Sequence, residues 1–173
     1  MSESGFKHTP YAAVGAFTAL NSLADGAYWF SEVFDNTTLK YASLALGGKL
    51  TMGAVEPDND SVITIYTVAQ YDSATTSAFG GGLGTNIDSA EGDHTRTADS
   101  HFVANNMKRV ETISIPDTGV NLVFHFGPIG LEALFNGWVP EKLRFCVHNG
   151  SGQALAASGN ELGVLGAKWE TAS

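Results

Sequence analysis

The chain contains a single cysteine, Cys146, in 173 residues, so it can form neither an internal disulfide nor a thiolate-rich metal site. Cys146 stands in an apolar stretch and reads as a buried, inert thiol, because a catalytic thiolate needs an electropositive, open setting. Basic residues are scarce: nine Lys and Arg face eighteen Asp and Glu, a net charge of −9. The nine are scattered, and no basic stripe forms to neutralise phosphates, which argues against nucleic acid as a partner. An anionic membrane surface would repel the chain as well. No apolar run reaches the ~20 residues of a membrane helix. The most apolar N-terminal stretch, 11–20, has no basic leader, so neither a signal peptide nor a transmembrane segment is predicted. No internal repeat occurs at solenoid or propeller periods.

What is present is a globular composition, with 43% hydrophobic residues and a mean hydropathy near zero. The length suits one domain, since compact domains hold ~100–200 residues. Twenty glycines against five prolines, with Val, Ile, Leu and Phe in short clusters, point to many tight turns between short strands. Residues 1–11 read as a polar N-terminal arm and 12–173 as one domain.

Strands are expected at 16–23 and in the aromatic-rich 27–34, with a turn at Asp35-Asn36. Residues 39–52 read as a long strand, interrupted where Gly47-Gly48 marks a bulge or bend. Residues 61–71 carry apolar side chains on both faces, so this strand should be central and covered on both sides. The stretch 78–100 is rich in glycine and acid and reads as a long surface loop. Residues 107–115 and 120–126 flank the turn at 116–119 and are expected to pair as a β-hairpin, with Val120, Leu122, Phe124 and Phe126 on one face. A helical turn is expected at 130–135, a strand at 143–147 with Leu143, Phe145 and Val147 inward, a turn region at 150–159, and a last strand at 162–169. Eight or nine strands and a short helical turn predict an all-β fold, an antiparallel two-sheet sandwich of jelly-roll type.

Chemistry is harder to find. His94 and His101, with Asp93 and Asp99, cluster in and just after the 78–100 region, but their spacing matches no zinc pattern. His125-Phe126-Gly127-Pro128 supplies one histidine where a cupin needs a pair. Asp58-Asn59-Asp60 begins like a calcium loop yet lacks its glycine and distant glutamate. The run Gly80-Gly81-Gly82-Leu83-Gly84 is not followed by Lys-Ser/Thr, and no serine sits in a G-x-S-x-G elbow. The expectation is a chain without catalytic residues, cofactor or metal.

A resemblance gives direction. The strand VNLVFHFGPIG, the segment LEALFNGWVPEKLRF with its Pro140-Glu141, and the turn-bearing VHNGSGQAL with Asn149-Gly150-Ser151-Gly152 follow one another over the C-terminal third. Together with Asp35-Asn36-Thr37-Thr38 before a long strand, they resemble small structural proteins encoded beside the capsid genes of tailed bacteriophages. Those are similar to capsid decoration, or cement, proteins with a β-sandwich or jelly-roll fold. The likeness spans about half the chain and is a pattern of turns and core residues, from which 78–100 departs.

The resemblance implies a virion protein, made in the host cytoplasm and located on the capsid surface, where it binds the major capsid protein and stabilises the shell. It implies partnership with itself as well, a trimer before a dimer, and no nucleic acid or membrane. The residues expected at the capsid or subunit interface are Phe6, Lys7, His8, Tyr11, Trp138 and Trp169. The alternatives are a receptor- or glycan-binding fibre module, a tail or baseplate subunit, and an enzyme with a metal at His94 and His101.

Overall fold

A computed structural model describes residues 4–8, 12–13, 20–58, 61–69, 107–116 and 119–171. Ten strands are present there: β1 (Ser4–His8), β2 (Ala12–Ala13), β3 (Tyr28–Phe30), β4 (Phe34–Asp35), β5 (Ser43–Thr51), β6 (Val62–Ala69), β7 (Lys108–Ser114), β8 (Val123–Gly130), β9 (Lys142–Gly150) and β10 (Glu161–Thr171). A helical turn, α1 (Asn36–Leu39), precedes β5, and a 3-10 turn, Glu132–Phe135, follows β8.

The strands form two antiparallel sheets. The first has the order β1-β10-β5-β8, with β2 also on β10; the second has β3-β9-β6-β7, with β4 also on β9. Since β5 occupies one side of β10 over 161–167, β1 and β2 must share the other, as successive pieces of one broken edge strand. The same reasoning makes β3 and β4 one broken edge strand beside β9. Each sheet is thus effectively four strands wide. After β2 the chain crosses to the second sheet for β3 and β4, returns for β5, crosses for β6 and β7, and then alternates through β8, β9 and β10. That order is a jelly roll, two Greek keys folded across a sandwich.

Alternation along each strand builds the core. Leu44, Leu46 and Leu50 of β5, Leu162 and Val164 of β10, Ile63 and Ile65 of β6, and Leu143, Phe145 and Val147 of β9 all point between the sheets. The inward set of β9 is the one its sequence predicts. The outer face of the second sheet is covered too: Phe30, Val68 and Cys146 form a second buried cluster there, with Arg144 also buried. Sequence therefore read β6 correctly as a central strand covered on both sides. The β5–β8 ladder shifts register beside the glycine pair, between Leu46 and Gly48, but the extra residue belongs to β8, where Gly127 and Pro128 oppose Gly47 alone.

Three expectations are corrected. The hairpin across 116–119 does not form: β7 pairs with β6 and β8 with β5, so the connection passes from one sheet to the other. Two neighbouring strands with one apolar face each pack equally well face to face as edge to edge, and Phe124 and Phe126 do reach the core from β8. The strand expected at 16–23 is instead a turn where it is described, with Ser22 at φ 59°; residues 14–19 lie outside the described residues. Within 39–52, Leu39 belongs to α1, and the strand begins at Ser43. The 78–100 stretch with His94, and His101 just after it, lie outside the described residues. Of the segment read as an arm, Ser4–His8 runs along β10 of its own chain.

Candidate interface end and outer-sheet furrow

The two ends of the sandwich differ. One gathers the connections 20–27, 52–58, 119–122 and 151–160, and buried side-chain amides knit three of these together, Gln153 Oε1 accepting from the Val55 amide at 3.2 Å. Asn149 Nδ2 donates to the carbonyls of Leu23 (2.8 Å) and Gln153 (2.7 Å), while Ser151 Oγ donates to Asn149 Oδ1 at 2.7 Å. Asn160 Nδ2 donates to Asn21 Oδ1 and to the Ala156 carbonyl, and Asn160 Oδ1 accepts from the Thr51 amide. The Asn-Gly-Ser-Gly turn is thus an architectural clamp, since buried polar groups must find partners.

The opposite end carries five of the six residues expected at an interface. Asp35 caps α1 by accepting from the Thr37 amide at 2.8 Å, which keeps its carboxyl below the usual range, first through the Thr37 hydroxyl bond and less through Lys142. Asn36 closes the turn on itself, donating to the Tyr41 carbonyl and accepting from the Tyr41 amide. Its backbone amide donates to the Glu141 carbonyl at 2.6 Å, joining α1 to the start of β9. Glu132 Oε1 accepts from the Leu44 amide at 2.9 Å and fixes the 3-10 turn on β5. That turn closes through Asn136 at φ 58° and Gly137 at φ 89°, with the Gly137 amide donating to the Glu132 carbonyl.

The next residue is Trp138. It is 54% exposed, the most exposed aromatic side chain among the described residues. Its ring leans on the buried Phe135 at 6.2 Å and 59°. A short, doubly anchored turn therefore holds a large apolar ring in solvent.

β1 and the last third of β10 reach this same end, because β10 runs past the start of β5 at Ser43. In register, Phe6 stands opposite Trp169, Lys7 opposite Lys168 and His8 opposite Ala167. So the fold brings Phe6, Lys7, His8 and Trp169 to the end that carries Trp138; Tyr11 lies outside the described residues.

Sequence reasoning missed a furrow on the outer face of the first sheet. Glu161 of β10, Lys49 of β5 and His125 of β8 are direct cross-strand neighbours in one row. Lys49 Nζ lies 3.4 Å from Glu161 Oε1. Beside this row the sheet has no side chains at Gly47 and Gly127, and Pro128 and Leu165 border an open depression of about 460 Å³. The spacing of Lys49, His125 and Glu161 in sequence gives no sign of it, because only the β10-β5-β8 order aligns them.

The remaining histidine of the domain, His148, stacks on Tyr28 at 4.2 Å, and burial lowers its pKa against the pull of Asp25. Burial raises the Cys146 thiol well above its ordinary value. Among the described residues no three His, Cys, Asp or Glu side chains gather where they could hold a metal ion. No protein-family model matches the chain, and no curated protein matches it.

Proposed function

We propose that this chain is a non-enzymatic structural protein of a virion, a decoration protein that attaches to the outer capsid as a homo-oligomer and braces the shell. The observation that carries the reading is the exposed Trp138, held on a rigid turn at the end to which β1 and the end of β10 also run. Exposed aromatic rings on rigid supports are what protein interfaces use as anchors, since little side-chain entropy is lost on docking. The opposite end, tied internally by Asn149 and Asn160, suits a solvent-facing surface that needs no partner.

Fold alone assigns no function, as jelly rolls serve capsids, lectins and enzymes alike. The choice among these rests on the resemblance of the FGP strand, the ALFNGW segment and the NGSG turn, together with the interface end. Bracing is then mechanical. A domain bridging two or three capsomers adds its binding free energy to the cost of separating them. Repetition over the shell turns modest contacts into stable attachment. A three-fold body would match three-fold positions on an icosahedral shell.

The test is DNA release on heating, followed by dye fluorescence, for particles with and without the protein. Release at a higher temperature with the protein bound supports bracing; equal temperatures at full occupancy overturn it. Trp138→Ala should lower occupancy on particles at least about tenfold, the loss expected of an aromatic anchor. The isolated variant should unfold within a few degrees of the parent, because little buried area is lost.

A further inference from the structure

We propose that the furrow on the outer face of the first sheet is a binding site for a neutral, hydroxyl-rich ligand, of the size of one sugar unit of a glycan. The inference is separate from capsid attachment through Trp138, and either can fail alone.

The furrow has the two kinds of surface that a sugar ring presents. Its floor is backbone, because Gly47 and Gly127 lack side chains at adjacent positions of β5 and β8, and Pro128 and Leu165 add apolar walls. A floor of this kind suits the C–H face of a pyranose. Along its rim, Glu161, Lys49 and His125 place an acceptor, a donor and an imidazole side by side across three strands. Neighbouring hydroxyls on a sugar need such alternating partners, each donating to one group and accepting from another.

Charge narrows the ligand class. Lys49 and Glu161 sit 3.4 Å apart and neutralise each other, so neither an anion nor a cation finds a net opposite charge. Both side chains are only partly covered, at 30% and 59% exposure, and keep bonding capacity toward solvent. Among the described residues no group bonds the His125 ring, which leaves both of its nitrogens for a ligand. The volume of about 460 Å³ lies within the range of small-molecule sites.

The furrow is also built into the sheet and does not depend on a loose loop. A Cβ at Gly47 would stand 3.1 Å from the Phe126 carbonyl oxygen, and one at Gly127 would stand 2.6 Å from the Gly47 Cα. At the bulge a side chain on Gly127 would collide with the β5 backbone and one on Gly47 would sit tightly against the Phe126 carbonyl, and the same glycines leave the floor bare.

The test uses the full chain, labelled with nitrogen-15 and titrated with the methyl glycosides of glucose, galactose, mannose and N-acetylglucosamine, each to high millimolar concentration. Sodium sulfate and tetramethylammonium chloride serve as the anionic and cationic probes. The proposal expects saturable amide shifts at Gly47, Gly48, Lys49 and Gly127 with at least one glycoside, and none that saturate with either ion. Glu161→Gln keeps the size and exposure of the side chain and should raise Kd about tenfold, as loss of a charge-assisted hydrogen bond does. His125→Ala, also at an exposed position, provides a second variant with the same expectation. Saturable shifts with sulfate alone would make the furrow an anion site and overturn the proposal. So would shifts with no glycoside, or glycoside binding that both variants leave unchanged.

Discussion

Asn149 and Leu23, 126 positions apart, are joined by a hydrogen bond of 2.8 Å from the Asn149 side-chain amide to the Leu23 carbonyl. Asn149 is fully buried, and it also donates to Gln153 and accepts from Ser151. Asn149→Ala removes the two bonds it donates and the two it accepts from the Ser151 amide and hydroxyl, although the Leu23 carbonyl keeps the Leu155 amide and the Gln153 carbonyl keeps the Ser151 hydroxyl. We expect a loss of about 2–4 kcal/mol. For a domain of this size that lowers Tm by roughly 5–15 °C, to be read by calorimetry. Asn149→Asp keeps the acceptor but loses both donated bonds, and should not recover the parent Tm.

Two glycines with positive φ should respond very differently to the same change. Gly127 has φ 78°, and an added Cβ would meet the Gly47 Cα at 2.6 Å, with the Leu46 carbonyl oxygen nearer still. Gly137 has φ 89° and nothing within 4 Å of the added atom. Gly137→Ala bears only the conformational cost of the left-handed region, about 1–2 kcal/mol. Gly127→Ala bears that cost and forces β5 from β8, about 3–5 kcal/mol in all. Urea unfolding of both variants should separate them clearly; equal midpoints would refute the close approach.

Stability should fall on mild acidification through His148. Burial beside Tyr28 disfavours its charged form, so its folded pKa lies below the 6.5 of the unfolded chain. The unfolded state then binds the extra proton, and stability present above pH 6.5 declines as pH falls below it, until the folded pKa is passed. His148→Phe preserves a ring against Tyr28 and removes the titration. Its urea midpoint should change less between pH 7.5 and pH 5.5 than that of the parent, a range we set as ~1 unit either side of an ordinary histidine pKa.

Cys146 should be silent in the native state. It is fully buried in β9, and burial raises its pKa well above the ordinary thiol value. Iodoacetamide at neutral pH should leave it unmodified by mass spectrometry, whereas the urea-unfolded chain should react to completion. Rapid native labelling would mean that the cover over the outer face of the second sheet opens readily.

Much of the fold is set locally and is legible in the residues. Alternation fixes that Leu143, Phe145 and Val147 of β9 face one way, and the doubly apolar pattern of β6 fixes that both of its faces are covered. Gly47-Gly48 announces an irregular ladder, since a Cβ at Gly48 would collide with the Glu161 carbonyl, though the extra residue lies in β8, and residues 130–135 announce a helical turn. These features depend on side-chain period and backbone permissiveness, which belong to single segments. Strand partnership belongs to none. Residues 107–115 and 120–126 carry the pattern of a hairpin, yet β7 and β8 lie in different sheets, since an apolar face is buried equally well against its neighbour or across the core. Exposed Trp138 could be named from sequence as an aromatic candidate, but only the 3-10 turn anchored by Glu132 holds it outward. The furrow was wholly invisible beforehand. Lys49, His125 and Glu161 become one row only when β5 takes its place between β10 and β8, and that order is decided by the packing of the complete sandwich.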